Sequence, residues 1–103
     1  MLIVTSKNGV PIRLSQERWG HITRRHPEME GQKDRVLETT SYPDLILNGD
    51  FGEYLAVRLY PKTPLTRKHL VVVYKEATAN DGFILTAYFT TEPSRRRKTV
   101  WTR

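Results

Sequence analysis

Lys68-His69-Leu70-Val71-Val72-Val73-Tyr74-Lys75-Glu76 holds the most apolar run of the chain, and it reads as a central strand. On either side lie segments that alternate apolar and polar residues, Glu53 to Tyr60 and Gly82 to Thr91. Pro61 and Pro64 punctuate the first connection, and Asn80-Asp81-Gly82 the second. Adjacent strands joined this way are expected to pair antiparallel as a meander. Leu45-Ile46-Leu47 opens this β half, and 48–52 is dense in turn formers. Beyond it, Pro93-Ser94-Arg95-Arg96-Arg97-Lys98 is a basic run, and Thr99-Val100-Trp101-Thr102 could add an edge strand. Trp101 is expected to dock, because an exposed indole leaves a large apolar area in water.

Upstream, Met1 to Thr5 is strand-like, Lys7-Asn8-Gly9 is a turn, and Val10 to Leu14 is a second short strand that Pro11 confines to an edge. Leu14-Ser15-Gln16-Glu17 has the marks of a helix start. Ser15 can accept from an orphan N–H, Glu17 suits the positive end of the dipole, and Leu14 can staple against the next turn. Pro27 stops the helix by biasing His26 out of the helical region. A second helix is expected over Asp34 to Thr40, with Val36 and Leu37 inward and Pro43 ending it. Helices followed by strands make an α+β fold. The expectation is two short N-terminal helices packed on an antiparallel meander of about four strands, in one domain over 1–103.

The chain has 38% hydrophobic and 27% charged residues, a globular balance. It has no cysteine, which excludes disulfides, thiolate metal sites and cysteine nucleophiles. The three histidines show neither HxH nor HExxH spacing, so no metal and no cofactor are expected. No apolar run approaches a membrane span and no signal-peptide pattern opens the chain, so the expected location is cytoplasmic. The 17 Lys and Arg against 11 Asp and Glu give a net charge of +6. A small basic domain has polyanions as its leading partner class, nucleic acid first among them.

Arg18-Trp19-Gly20-His21-Ile22-Thr23-Arg24-Arg25-His26-Pro27-Glu28 concentrates the chemistry. At roughly 100° per residue, Trp19, Ile22 and His26 share one helix face, and Arg18, His21 and Arg25 share the next. Burial of Trp19 and Ile22 would hold His26 at the core edge and His21 on the rim, beside a basic groove. Either histidine can also be structural, as a cation suited to a helix C-terminus or as a satisfied core residue.

Strand periodicity sorts the remaining candidates. Leu55, Val57 and Leu59 would share the core face with Val71, Val73, Phe83, Leu85, Ala87 and Phe89. The helices would cover it through Trp19, Ile22, Val36 and Leu37. The opposite face would carry Tyr54, Arg58, Tyr60, Lys68, Tyr74, Thr86, Tyr88 and Thr90. Cations for phosphates, phenols for stacking and hydroxyls for hydrogen bonds suit a single-stranded nucleic-acid platform. Strand propensity alone also favours Thr, Tyr, Arg and Lys on a solvated face. His69 is expected to be structural.

Metal-free RNA cleavage needs a base for the 2′-hydroxyl, an acid for the 5′-oxygen and cations on the phosphate. His21 and His26 suit the first two roles. Arg25, Arg58 and Lys68 suit the third. The acids lie mainly at turns and helix ends (Asp34, Asp44, Asp50, Asp81), which argues against a two-metal nuclease.

The string Glu17 to Glu28, with Lys68 to Tyr74 and Ile84-Leu85-Thr86-Ala87-Tyr88, resembles the signature of phage and bacterial nuclease-like domains of the barnase/EndoU/colicin/RelE-like superfamily. The resemblance covers about Leu14 to Tyr88. It implies a small α+β fold and metal-independent ribonuclease activity, with toxin or effector roles, and His21, His26, Lys68, Thr86 and Tyr88 as catalytic residues. Arg25, Arg58, Tyr60, Thr90, Arg95, Arg96, Arg97 and Lys98 are the expected nucleic-acid contacts. RNA is the expected partner, with an acidic antitoxin or immunity protein as a further one. The alternatives are a non-catalytic nucleic-acid-binding module, or a toxin-like interaction protein neutralised by an acidic companion.

Overall fold

A computed structural model describes residues 1–103. β1 (Leu2–Thr5) and β2 (Pro11–Leu14) form an antiparallel hairpin. α1 (Gln16–Arg25) follows at once, because the Ser15 hydroxyl accepts the Arg18 N–H at 3.0 Å and supplies the cap. It ends at His26, whose N–H still reaches the Ile22 carbonyl. A single 3-10 turn, Pro27–Met29, leads to α2 (Lys33–Ser41). The β half then runs through β3 (Leu45–Asn48), β4 (Tyr54–Tyr60), β5 (Lys68–Thr78), β6 (Asp81–Thr90) and β7 (Thr99–Thr102).

The expected four-stranded antiparallel meander is corrected. All seven strands join one mixed sheet in the order β1-β2-β6-β5-β4-β3-β7. β3 to β6 are consecutive antiparallel neighbours. The N-terminal hairpin joins their β6 edge, and β2 runs parallel to β6. The tail returns to pair β7 with the β3 edge. Both additions bring together segments distant in sequence, which no local turn signal announces.

β2 meets β6 only at Ile12–Gly82 and Arg13–Phe83. From Ile84 onward the outer edge of β6 has no strand partner, and α1 packs beside it. Opposite Val73 and Tyr74 the register shifts from Thr86 to Ile84, so Leu85 is an extra residue, a β-bulge.

On β4 and β5 the two faces are opposite to the expected assignment, while Ala87 and Phe89 of β6 lie in the helix-covered core where periodicity put them. Tyr54, Ala56, Tyr60, Leu70, Val72 and Tyr74 pack under the helices, with Ile22, Met29 and Val36. Leu55, Val57 and Val71 lie on the other face with Leu47, and Tyr88 and Val73 pack against them. Alternation announces two faces but does not rank them when both are apolar. The segment 92–97 borders this second face, so its apolar side chains are buried as well. Burying a side chain such as Leu70 or Ile84 stabilises by about 1.5–3 kcal/mol.

The sheet also coils. Lys7, in the turn beside one outermost strand, lies 5.1 Å from the ring centre of Trp101 on the other outermost strand, and 5.3 Å from that of Tyr42 after α2. The concave face thereby wraps α2, which touches β1, β4 and β5.

Candidate active site

A cleft of about 240 Å³ opens between α1 and β6. Arg18, His21, Ile22, Arg25 and His26 line it from the helix, and Leu85 and Thr86 from the strand. Ile22 is the anchor: it is 2% exposed and fixes which side of α1 faces the sheet. The i, i+3 and i, i+4 neighbours of Ile22 and Arg18 then lie at the cleft mouth. The bulge places Leu85 and Thr86 against this same helix face.

The two imidazoles have different surroundings. His21 is half exposed. Its Nδ1 lies 2.9 Å from an Arg24 Nη. A guanidinium only donates, so Nδ1 accepts and carries a lone pair. Glu17 Oε1 stands 3.8 Å from Nε2. His26 is more enclosed, and its Nδ1 faces Glu28 Oε2 at 3.8 Å. Its ring packs on Tyr88, with centroids 5.8 Å apart.

Arg18 and Arg25 make no ion pair. Two uncompensated guanidinium groups at one mouth favour an anion there. Burial pushes the Tyr88 hydroxyl above its ordinary value, with Arg97 opposing the shift. At neutral pH it is therefore a neutral donor or acceptor. No cluster of three or more His, Cys, Asp or Glu side chains could hold a metal.

The other expected site residues distribute as follows. Thr86 lines the cleft and Tyr88 borders it through His26. Lys68 does not reach it: its Nζ donates to Thr91 Oγ1 at 3.0 Å, beyond the end of β6. Thr86 pairs with Val73, and Lys68 lies five residues back along that ladder, roughly 17 Å at strand rise. Arg58 donates to the Tyr42 carbonyl at 2.6 Å and pairs with Glu38 at 3.7 Å, so it belongs to the end of α2.

Tyr60 is 7% exposed. It donates to Glu38 Oε1 at 2.7 Å and contacts Thr39 Oγ1 at 3.1 Å. Burial pushes its hydroxyl up to about 12. Its ring is covered by the Arg35 and Arg58 guanidinium groups, 4.9 and 5.7 Å from its centre, and offers no open face to a base. Tyr54, Tyr60 and Tyr74 pack in the core under the helices, while Thr86 lines the cleft and Tyr88 packs against the second face of the sheet. The expected single platform of phenols, cations and hydroxyls is not assembled.

Thr90 donates to the Glu92 carbonyl at 3.0 Å. Arg95 pairs with Glu92 at 3.5 Å, and Arg97 pairs with Asp50 at 3.2 Å. Arg96 and Lys98 are exposed and form no ion pair. His69 Nδ1 lies 3.0 Å from the Thr91 carbonyl, to which it must donate. Its ring borders a separate cavity of about 510 Å³ with Arg95 and Arg97.

Three residues of the cleft lining lie outside the expected site set, Arg18, Ile22 and Leu85, and Glu28 adds to the site through His26. Arg18 shares a helix face with His21 and Arg25, which was a usable signal. Glu28 reaches His26 across Pro27, and Leu85 owes its place to the bulge. Neither of these follows from strict periodicity.

No family model matches the chain, and neither a curated protein nor a solved structure does.

Proposed function

We propose that the protein is a metal-independent endoribonuclease whose chemistry takes place in the α1–β6 cleft. The observation that carries this reading is that both helix histidines line one cleft with two unpaired arginines. His21, with its lone pair on Nδ1, takes the proton of the 2′-hydroxyl. The substrate phosphate, a stronger acceptor than imidazole, draws Arg24 away to free that nitrogen. The 2′-oxygen forms a bond to phosphorus and the bond from phosphorus to the 5′-oxygen breaks. His26, beside the Glu28 carboxylate, gives its proton to the leaving 5′-oxygen. Arg18 and Arg25 hold the charge on the five-coordinate phosphate. The products are a 2′,3′-cyclic phosphate and a free 5′-hydroxyl.

The test is incubation of the purified protein with labelled mixed-sequence single-stranded RNA in EDTA, beside the His21→Ala/His26→Ala double variant. Cleavage by the wild type alone, leaving cyclic phosphate ends, is the expected result. An equally active double variant would falsify the reading. Salt-sensitive binding without cleavage would replace it with a binding module.

A further inference from the structure

Arg97 is spent on the fold. Both its Nη atoms grip the Asp50 carboxylate, at 3.2 and 3.4 Å, and one also donates to the Asn48 carbonyl. The Asn48 N–H in turn donates to the Lys98 carbonyl at 2.9 Å. The basic segment is therefore pinned to the β3–β4 turn at two successive residues. Arg96 and Lys98 flank the pinned Arg97, exposed and without an acidic partner. Together with Asn48, Arg97 and Tyr88 they line a cavity of about 500 Å³.

Tyr88 is the link. Its ring packs on His26 at the cleft, and the same side chain lines this basic cavity. β6 and β3 are separated by β5 and β4, so the cleft and the β3 end lie about 14 Å apart at three interstrand spacings. A chain of phosphates leaving the histidines meets a half-buried phenol first and two free cations next. A phenol ring followed by unpaired cations suits unpaired bases on a flexible backbone, because a π-face accepts any base and a duplex hides its own.

We infer that the substrate is an extended single strand of RNA, which leaves the cleft across Tyr88 and is held by Arg96 and Lys98. This rests on the ribonuclease reading for the position of the scissile phosphate. Arg97 is a positioning residue, neutralised by Asp50, and adds little to the attraction.

The test is fluorescence anisotropy with a labelled 2′-O-methyl RNA of about 12 nucleotides, which cannot be cleaved and falls within the range of single-strand site sizes. Wild type, Arg96→Ala/Lys98→Ala and a charge control, Lys62→Ala, at an exposed lysine of the β4–β5 connection that lines neither cavity, are titrated across a salt series, with thermal unfolding to check each fold. The double variant is expected to bind about tenfold more weakly, with a salt slope lower by about 1.4, at 0.7 per lost phosphate contact. Lys62→Ala is expected to stay within about twofold of wild type. Unchanged affinity and slope in the double variant would overturn the strand path, as would equal affinity for the same sequence as a duplex. Normal cleavage with such insensitive binding would leave the ribonuclease reading standing. Binding as expected with no cleavage of ordinary RNA would remove that reading and keep the path.

Discussion

The ring of Tyr88 lies 5.8 Å from that of His26, tilted by 36°, and this contact joins the end of α1 to the second face of the sheet. Tyr88 comes from the strand section that has no neighbour on its outer edge, and the imidazole is held between this ring and the Glu28 carboxylate, 3.8 Å from Nδ1. Tyr88→Phe keeps the ring and is expected to cleave RNA within about threefold of wild type. Tyr88→Ala lets His26 shift, and displacements of this kind cost on the order of 10²-fold in rate. Its stability cost is expected to be about 2 kcal/mol, because the ring is only half buried. Steady-state cleavage and urea unfolding of the two variants separate these effects.

In the proposed reaction one histidine starts as base and the other as acid, and such a pair gives a bell-shaped dependence of rate on pH. Replacing either by alanine should remove about 10²–10⁴-fold in rate and one limb of the bell. An RNA whose 5′-oxygen leaving group is replaced by sulfur needs no acid. With that substrate His26→Ala is expected to regain most of its activity, while His21→Ala stays slow. The reverse pattern would exchange the two roles.

Gly82 sits where β2 joins β6. A Cβ built there would stand 2.5 Å from Ile12 Cδ1 and 2.5 Å from the Lys75 carbonyl oxygen. Ile12 is fully buried and the carbonyl belongs to the sheet, so neither yields cheaply. Gly82→Ala is expected to cost about 1–3 kcal/mol through overpacking. The loss of Tm is about 4–8 °C per kcal/mol for a domain near this size. Circular dichroism melting measures it, and an unchanged Tm would show that β2 docks more loosely than the contact implies.

Tyr60 ties β4 to α2 through Glu38 and Thr39. Its hydroxyl ionises at about 12, against 10.0 when free, chiefly because burial disfavours the phenolate. A folded-state value raised above the unfolded one gives stability that is complete below pH 10 and is lost as pH rises towards 12. Denaturant titrations from pH 8 to 12 should show this alkaline loss. Tyr60→Phe should show less of it, and at pH 7 should be weaker than wild type by about 1–2 kcal/mol for the unpaired partners. An equal alkaline loss in Tyr60→Phe would assign the effect to other tyrosines, such as Tyr74, which burial also pushes up.

The sequence by itself determined the local elements. Ser15 and Pro27 bound α1 because a hydroxyl cap and a proline act within one turn. The histidine pair with its arginines was legible for the same reason: spacing on one helix places side chains without tertiary information. Only the tertiary structure decided how the elements met. The parallel contact of β2 with β6, the return of β7 to β3 and the coil that brings Lys7 to Trp101 join residues distant in the chain.

The same holds for the faces. β4 and β5 are apolar on both sides, so alternation could not say that Tyr60 and Tyr74 would lie beneath the helices, or that Arg58 would be held by Glu38. A one-residue bulge at Leu85 was likewise silent, yet it carries Leu85 and Thr86 to the histidines. Periodicity records what one strand can bury. Which surface it buries depends on long-range packing, and that is where the cleft acquired its second wall.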